Sequence, residues 1–345
     1  PVHERDVVAM RDTLTHRGPD SEGVYLSPDA RLGLGHRRLS IIDLSPQASQ
    51  PMTNEDGTVR VIFNGEIYNF KKLREELIAK GHRFHSKSDT EVIVHGYEEY
   101  GFDCVKKFNG MFAFALWDEK KQILFAARDH LGIKPLYYAV RDGGFYFGSE
   151  IKAILKHPDF KKELEERHIS YYLTFACMPA PYTLFKDVQK LPAAHYAVVR
   201  RDGEVETHEY WNPISDGSYT NESYDEEFYV SETRRLLEDS IRSQMVSDVP
   251  FGCFLSGGID SSTNAALMSK ALGTPVETFS IGVEDYQKYN EFQYSRATAK
   301  LLDAKSHETV VGRKDLLEFL PQYALHADDP NGDQICFLVY YLSKL

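Results

Sequence analysis

The segment CFLSGGIDSS, residues 253–262, ends a short apolar run and enters a stretch with almost no side chain to pack. Gly257 and Gly258 let a backbone approach a charged group with no Cβ in the way, and Ser256, Ser261 and Ser262 add hydroxyl donors. A helix that starts here presents unpaired N–H groups and partial positive charge, which attract phosphate. Asp260 by itself would repel phosphate, so its most economical role is to hold Mg²⁺ against the phosphates. The plain alternative is a strand-to-helix turn capped by Ser or Asp. The whole string favours phosphate binding.

The surrounding periodicity places this loop. A helix with Val230, Leu237, Ile241 and Met245 on one stripe is followed by a strand over 249–255 and a helix from about Asp260. A strand over 276–281, a helix from about Glu291 and a strand over 306–311 come next. Strands alternating with helices predict an α/β doubly wound parallel sheet, and ligands of such sheets bind beyond the carboxyl ends of the strands. The loop lies at such an end.

The first half reads differently. VRVIFNGEIYN alternates like a strand and then turns at Asn64-Gly65. GMFAFALWD and QILFAARD are strands joined by a charged turn, and PLYYAVRDGGFYFGSE and YAVVRRDGEVETHEYW are hairpins closed at Asp142–Gly144 and Asp202-Gly203. Their nearly continuous apolar character predicts sheets covered on both faces. Phe70, Leu73 and Leu77 set a helix stopped by Gly81, and Ser88 with Glu91 reads as a capping box for a second helix. Strands with paired helices predict a layered α+β domain. Residues 212–225, polar with Pro, Gly and several Ser, read as a linker between a domain over 1–211 and one over 226–345.

With 345 residues the chain has room for about two domains of roughly 150 residues. A net charge of −12 argues against a nucleic-acid-coating surface, and no apolar run reaches the roughly 18 residues of a membrane helix. Cys104, Cys177, Cys253 and Cys336 are far apart with no CxxC pair, which fits buried free thiols in a reducing cytosol. The chain starts at Pro1 and stops in the apolar FLVYYLSKL, so both ends read as cut from a longer protein.

SGGIDSS resembles the pyrophosphate-binding loop of the ATP pyrophosphatases, which split ATP into AMP and pyrophosphate while adenylating an acceptor. In the first half HRGPDSEG, GHRRLSIIDLS, NGEIYN, SDTEVI, GMFAFALWD and RDHLGIKPLYY follow in that order. Together they resemble the glutaminase domain of class II glutamine amidotransferases. The domain order resembles the glutamine-hydrolysing asparagine synthetase family over nearly the whole chain. The resemblance implies a four-layer αββα, Ntn-hydrolase-like N-terminal fold. It also implies conversion of aspartate, glutamine and ATP to asparagine, glutamate, AMP and pyrophosphate, with Mg²⁺. Partners are then small molecules, with no nucleic acid and no membrane, in the cytoplasm; a homodimer is one expected assembly.

By the same resemblance Arg38, Leu39, Ser40, Ile41, Ile42, Asn64, Gly65, Glu66 and Asp89 bind glutamine. Arg38 can take its carboxylate as a fork, Asp89 its ammonium, and Glu66 the ammonium or the amide end. The Asn64 side chain and Gly65 N–H suit the oxyanion formed when the amide is attacked. The rival readings are a capping Asp89, an Arg37–Arg38 surface pair, and Asn64-Gly65 as a turn. Asp129 and His130 read as turn and packing residues. Phe254, Leu255, Ser256, Gly257, Gly258, Asp260, Ser261, Ile281 and Gly282 bind ATP, with Phe254 or Leu255 and Ile281 against the adenosine. The family's nucleophile is an N-terminal cysteine, expected ahead of Pro1, and ammonia is expected to pass internally between the two sites. Asp328, Asp329 and Asp333 are open between Mg²⁺, the acceptor and helix capping. NGDQICFLV departs from aspartate-specific members, so an amidotransferase for another carboxylate, such as a sugar uronate, and a non-catalytic relative stay open.

Overall fold

The computed structural model describes residues 1–214, 223–285, 288 and 290–345, and the chain falls into two units, Pro1–Asn221 and Glu222–Leu345. The linker expected over 212–225 lies largely outside the described residues.

Unit 1 begins with α1 (Glu4–Asp12), β1 (Ser21–Leu26), β2 (Gly33–Arg38), β3 (Met52–Thr53) and β4 (Val59–Ile67). It continues through α2 (Phe70–Ala79), α3 (Glu91–Tyr100), β5 (Gly110–Asp118), β6 (Ile123–Arg128), β7 (Tyr137–Arg141) and β8 (Gly144–Gly148). It ends with α4 (Ile151–Leu155), α5 (Ile169–Phe175), β9 (Gln189–Lys190), β10 (His195–Arg200) and β11 (Val205–Glu209). Six strands form one antiparallel sheet in the order β11-β10-β6-β5-β4-β3, while β1-β2 and β8-β7-β9 form two smaller sheets.

These pieces stack as helix, sheet, sheet, helix. α3 packs against β3 and β4 with α2 beside it, and α1 and α4 pack on β2 and β8. Leu34, Ala115, Trp117 and Leu124 fill the space between sheets, flanked by Phe145 and Phe147. On the opposite face of the large sheet, Phe114 and Phe125 are buried with ring centroids 5.3 Å apart, and Tyr97 of α3 lies 5.9 Å from Phe125. Each such buried ring contributes on the order of 1.5–3 kcal/mol. Covering on both faces explains why GMFAFALWD is apolar throughout and does not alternate.

Two local expectations change. The strand does not turn at Asn64-Gly65: β4 runs on to Ile67, with Gly65 opposite Phe112 and Ile67 opposite Gly110. A Cβ on Gly65 would run into the Met111 carbonyl and lie 2.7 Å from Phe112 Cα, so this glycine permits close strand approach. The capping box at Ser88/Glu91 is also absent. Thr90 is the N-cap of α3 but its side chain takes no helix N–H, and the Glu91 carboxylate turns back to accept from His85 N at 2.6 Å and Ser86 N at 2.7 Å. A loop with two unpaired N–H groups outcompetes the helix start for that carboxylate.

Unit 2 contains α6 (Glu226–Gln244), β12 (Cys253–Phe254), α7 (Ile259–Leu272), β13 (Glu277–Val283), α8 (Phe292–Leu301), β14 (Lys305–Val311), α9 (Arg313–Ala327) and α10 (Ile335–Lys344). β12-β13-β14 is a parallel sheet with α7 and α8 as crossovers. The strand expected over 249–255 is reduced to Cys253–Phe254, since Pro250 has no N–H for a ladder. The apolar stripe of α6 is not interior: no α6 residue is buried.

Asp129 organises the turn after β6. Its carboxylate accepts from Leu131 N, Ile133 N, Lys134 N and Phe112 N at 2.9–3.1 Å. His130 packs among Phe112, Tyr210 and Trp211. Asp129→Ala should therefore cost unit 1 about 3 kcal/mol, and Asp129→Asn less, because the amide keeps one acceptor oxygen. Urea midpoints of the three proteins check the order; an alanine variant as stable as the native chain would show that the turn holds without its carboxylate.

Candidate active site

The site in unit 1 is built on the open edge of β4. β3 pairs only with Arg60 and Val61, so β4 beyond them has no strand on that side. The N–H groups of Phe63 and Ile67 still point that way. Gln50 Oε1 accepts the first at 2.6 Å, and Asp89 Oδ2 accepts the second at 2.9 Å. Gly65 lies midway, and the two-residue period of a strand turns its N–H in the same direction. The opposite strand agrees: Phe112, the partner of Gly65, spends its own N–H and carbonyl on Asp129, so Gly65 and Phe112 are a non-hydrogen-bonded pair.

The side chains of Asn64 and Glu66 fall on the inter-sheet face of β4 and line a cavity of about 1310 Å³. Asn64 Nδ2 is buried there with no hydrogen-bond partner. A buried unpaired amide donor is costly in a finished fold and useful against an oxyanion. Arg38, Asp89, Leu39, Ile41 and Ile42 line the same cavity. The open edges of β2 and β8 border it as well, and no cysteine does.

Arg38 is buried, and it is not part of a surface pair with Arg37, which bonds to Glu22 and the Gly18 carbonyl. The Arg38 guanidinium donates to the carbonyls of Ile42 at 3.1 Å, Asp43 at 2.6 Å and Ser45 at 3.4 Å. It thereby shapes the loop that carries Leu39 to Ile42, while Ser40 N is tied to Asp20 Oδ2 at 2.8 Å. Three of the five guanidinium donors are used, so two are left for a ligand. Asp89 is close enough for its charge to favour the charged form of Arg38, yet the two form no ion pair among the described residues. Nor does the Asp89 side chain cap α3; it holds β4.

Burial pushes the Asp89 carboxyl up to about 6. Burial, reinforced by the charge of Asp89, pushes Glu66 up to about 7, with Lys134 opposing. A cation arriving between these carboxylates would ionise both. Lys134, from RDHLGIKPLYY, also lines the cavity. Its role is not legible in that motif, since a lone Lys before Pro carries no signal of its own. His16 and Arg17 meet buried Glu150 at 2.9 Å each, which pins the HRGPD segment to the start of α4.

In unit 2 the SGGIDSS loop leaves the C-terminal end of β12 and caps α7 at Gly258. Gly257 has φ +91°, and a Cβ there would lie 2.5 Å from Ser295 N, so only glycine fits. Ser256 Oγ accepts from Gly258 N at 3.2 Å and meets Ser261 Oγ at 3.0 Å. Asp260 is exposed in the first turn of α7. Leu255 is buried, and its backbone is engaged by the Phe279 carbonyl at 2.9 Å and by Ser280 Oγ at 2.6 Å; Phe254 is exposed. Ile281 and Gly282 lie near the C-terminal end of β13, paired with Thr309 and Val310. Of the acidic trio near the end, Asp333 accepts from Ile335 N, the first residue of α10, at 3.0 Å, while the N-cap itself is Gln334. Asp328 ends α9, and Asp329 is buried.

A glutamine amidotransferase domain model matches residues 2–211, and an asparagine synthase model matches residues 232–345. The chain is 39% identical over 337 residues to "Asparagine synthetase [glutamine-hydrolyzing] 3" of Bacillus subtilis, covering 93% of this chain and 54% of that protein. It is 35% identical over 369 residues to "Putative asparagine synthetase [glutamine-hydrolyzing] 2" of Methanocaldococcus jannaschii, covering 100% and 69%. It is also 31% identical over 339 residues to "Amidase chry2" of Gibberella zeae, covering 93% and 49%. The chain spans about half the length of the first and the third.

The raised carboxyls make a pH prediction. A folded unit that holds protons on Asp89 and Glu66 more tightly than the unfolded chain is stabilised by them below the unfolded values, 3.8 and 4.5, and that contribution is lost as pH rises through about 6 and 7. The stability difference between native and Glu66→Gln chains should therefore change from pH 4 to 8 in favour of the variant. Urea titrations at several pH values check this; a difference that stays flat would mean that Glu66 ionises as freely as in water.

Proposed function

From the premise that this chain belongs to the glutamine-hydrolysing asparagine synthetase family, we propose that unit 1 hydrolyses glutamine to ammonia and that unit 2 uses ATP to activate a carboxylate for amidation. The observation that carries the first half is the pair of donors at one end of the cavity. Gly65 N–H and Asn64 Nδ2 are both unspent, and together they would receive an amide oxygen as it gains charge.

The head of the substrate fits the charges beside them. Arg38 has donors left for a carboxylate, and Asp89 with Glu66 supplies negative charge for an ammonium. The nucleophile is taken to be a cysteine ahead of Pro1, since none of the four in the chain lines the cavity. An extended segment running between the open edges of β2 and β8 would carry it to Asn64 and Gly65.

In unit 2 the Gly257-Gly258 backbone and the Ser256 and Ser261 hydroxyls would hold the phosphates of ATP at the start of α7. Asp260 would hold Mg²⁺, which neutralises phosphate charge when bound. Phe254, Ile281 and Gly282 would border the adenosine. Leu255, whose backbone is engaged in the sheet, would act by packing. Aspartate is the acceptor the relatives' names favour, with another carboxylate as the second reading because NGDQICFLV departs from the aspartate-specific pattern. Small-molecule substrates in the cytoplasm follow, with no nucleic acid; no described helix is long and apolar enough to cross a membrane.

Two experiments on the full-length protein test this. Asp89→Asn should raise the glutamine KM by roughly ten- to a hundredfold, one charge-assisted contact of about 1.5–3 kcal/mol, while ammonia-driven amide synthesis persists. Equal loss of both reactions would reduce Asp89 to its bond with Ile67. Asp260→Ala should abolish AMP formation with any acceptor and leave glutaminase activity intact. Undiminished AMP release from that variant would remove the metal role.

A further inference from the structure

A second cluster of ligating side chains lies away from the glutamine site. Glu55 comes from the turn between β3 and β4, His82 from the loop after α2, and His95 and Glu98 from successive turns of α3. Four atoms, one from each residue, lie within 4.8 Å of one another. His95 Nδ1 is 3.0 Å from Glu98 Oε2 and 3.7 Å from Glu55 Oε2, and His82 Nδ1 is 3.7 Å from Glu98 Oε2. A tetrahedral zinc-type centre with bonds of about 2.0–2.2 Å has edges of about 3.3–3.6 Å between ligand atoms. Three of the six separations, at 3.0–3.7 Å, lie near that spacing, and all six are within 4.8 Å.

The outward atom of each residue is turned to a neighbour, so the inward atoms converge. Glu98 Oε1 accepts from Asn54 Nδ2 at 2.7 Å, and Glu55 Oε1 accepts from Arg83 N at 2.9 Å. His82 Nε2 faces Glu99 at 3.5 Å. His95 is wholly buried; its Nε2 has no hydrogen bond and faces Glu91 at 3.6 Å. An imidazole that binds a metal through one nitrogen and directs the other at a carboxylate has this arrangement.

We propose that Glu55, His82, His95 and Glu98 bind a zinc-like divalent cation that clips α3 to the β3–β4 turn. Two imidazoles and two carboxylates suit zinc or cobalt and exclude the all-oxygen preference of Mg²⁺ and Ca²⁺.

The test uses the purified 1–345 chain, titrated with Zn²⁺ in equilibrium dialysis and with Co²⁺ by visible absorption. One equivalent should bind per chain, with the intense absorption of tetrahedral cobalt, bleached by zinc. His82→Gln and Glu98→Gln should abolish that spectrum, and Glu99→Gln should weaken binding by about tenfold. Zinc should raise the melting temperature of the native chain and leave that of His82→Gln unchanged, a readout that holds even if a variant is less stable. Binding that survives in His82→Gln, an octahedral cobalt spectrum, or no binding at all would overturn the proposal.

Discussion

Unit 1 depends on how one strand edge is satisfied. A buried N–H must find an acceptor, and an edge strand presents a row of them. Along β4 the row is Phe63, Gly65 and Ile67. Gln50 and Asp89 supply side-chain acceptors to the outer two. Phe112 cannot serve the middle one because Asp129 holds both its polar groups. The fold thus leaves one donor unspent between two that are fixed, and this donor is held rigidly in a nine-residue strand. Preorganisation of this kind costs nothing at the moment charge develops.

The same economy makes several site residues structural as well. Asp89 positions Ile67 while its second oxygen lies near Ser88 Oγ at 3.4 Å. Arg38 shapes the 42–45 loop with three of its five donors. Truncating either removes a scaffold bond together with the proposed ligand contact, so an alanine effect at Arg38 would mix the two. The Asn substitution at Asp89 keeps an acceptor for Ile67 and changes charge alone. That difference separates substrate affinity from local order.

Much of this arrangement is legible in the chain. Continuous apolar strands such as GMFAFALWD announce a sheet covered on both faces, while the four-layer stack is what the family resemblance adds. Gly257 in SGGIDSS announces close backbone approach, and Ser295 is what it approaches. Asn64-Gly65 misleads, because the pair is a turn signal by type and here allows close pairing inside a strand. Ser88 and Glu91 mislead for a similar reason: capping chemistry is local, and the 85–86 loop claims the carboxylate by a route that spacing does not encode. Gln50 and Lys134 are invisible because their roles exist only once β4 is folded beside them.

α3 links the two polar centres of unit 1. Asp89 lies just before its first residue, and His95 and Glu98 lie one and two turns along it. Whatever fixes the helix against the β3–β4 turn also fixes the position of Asp89 relative to β4, since turn and strand are one continuous segment from Glu55 to Ile67. The approaches of His95 to Glu55, Glu91 and Glu98, at 3.0–3.7 Å, tie this helix to the turn. They thereby support the geometry of a site that His95 does not touch.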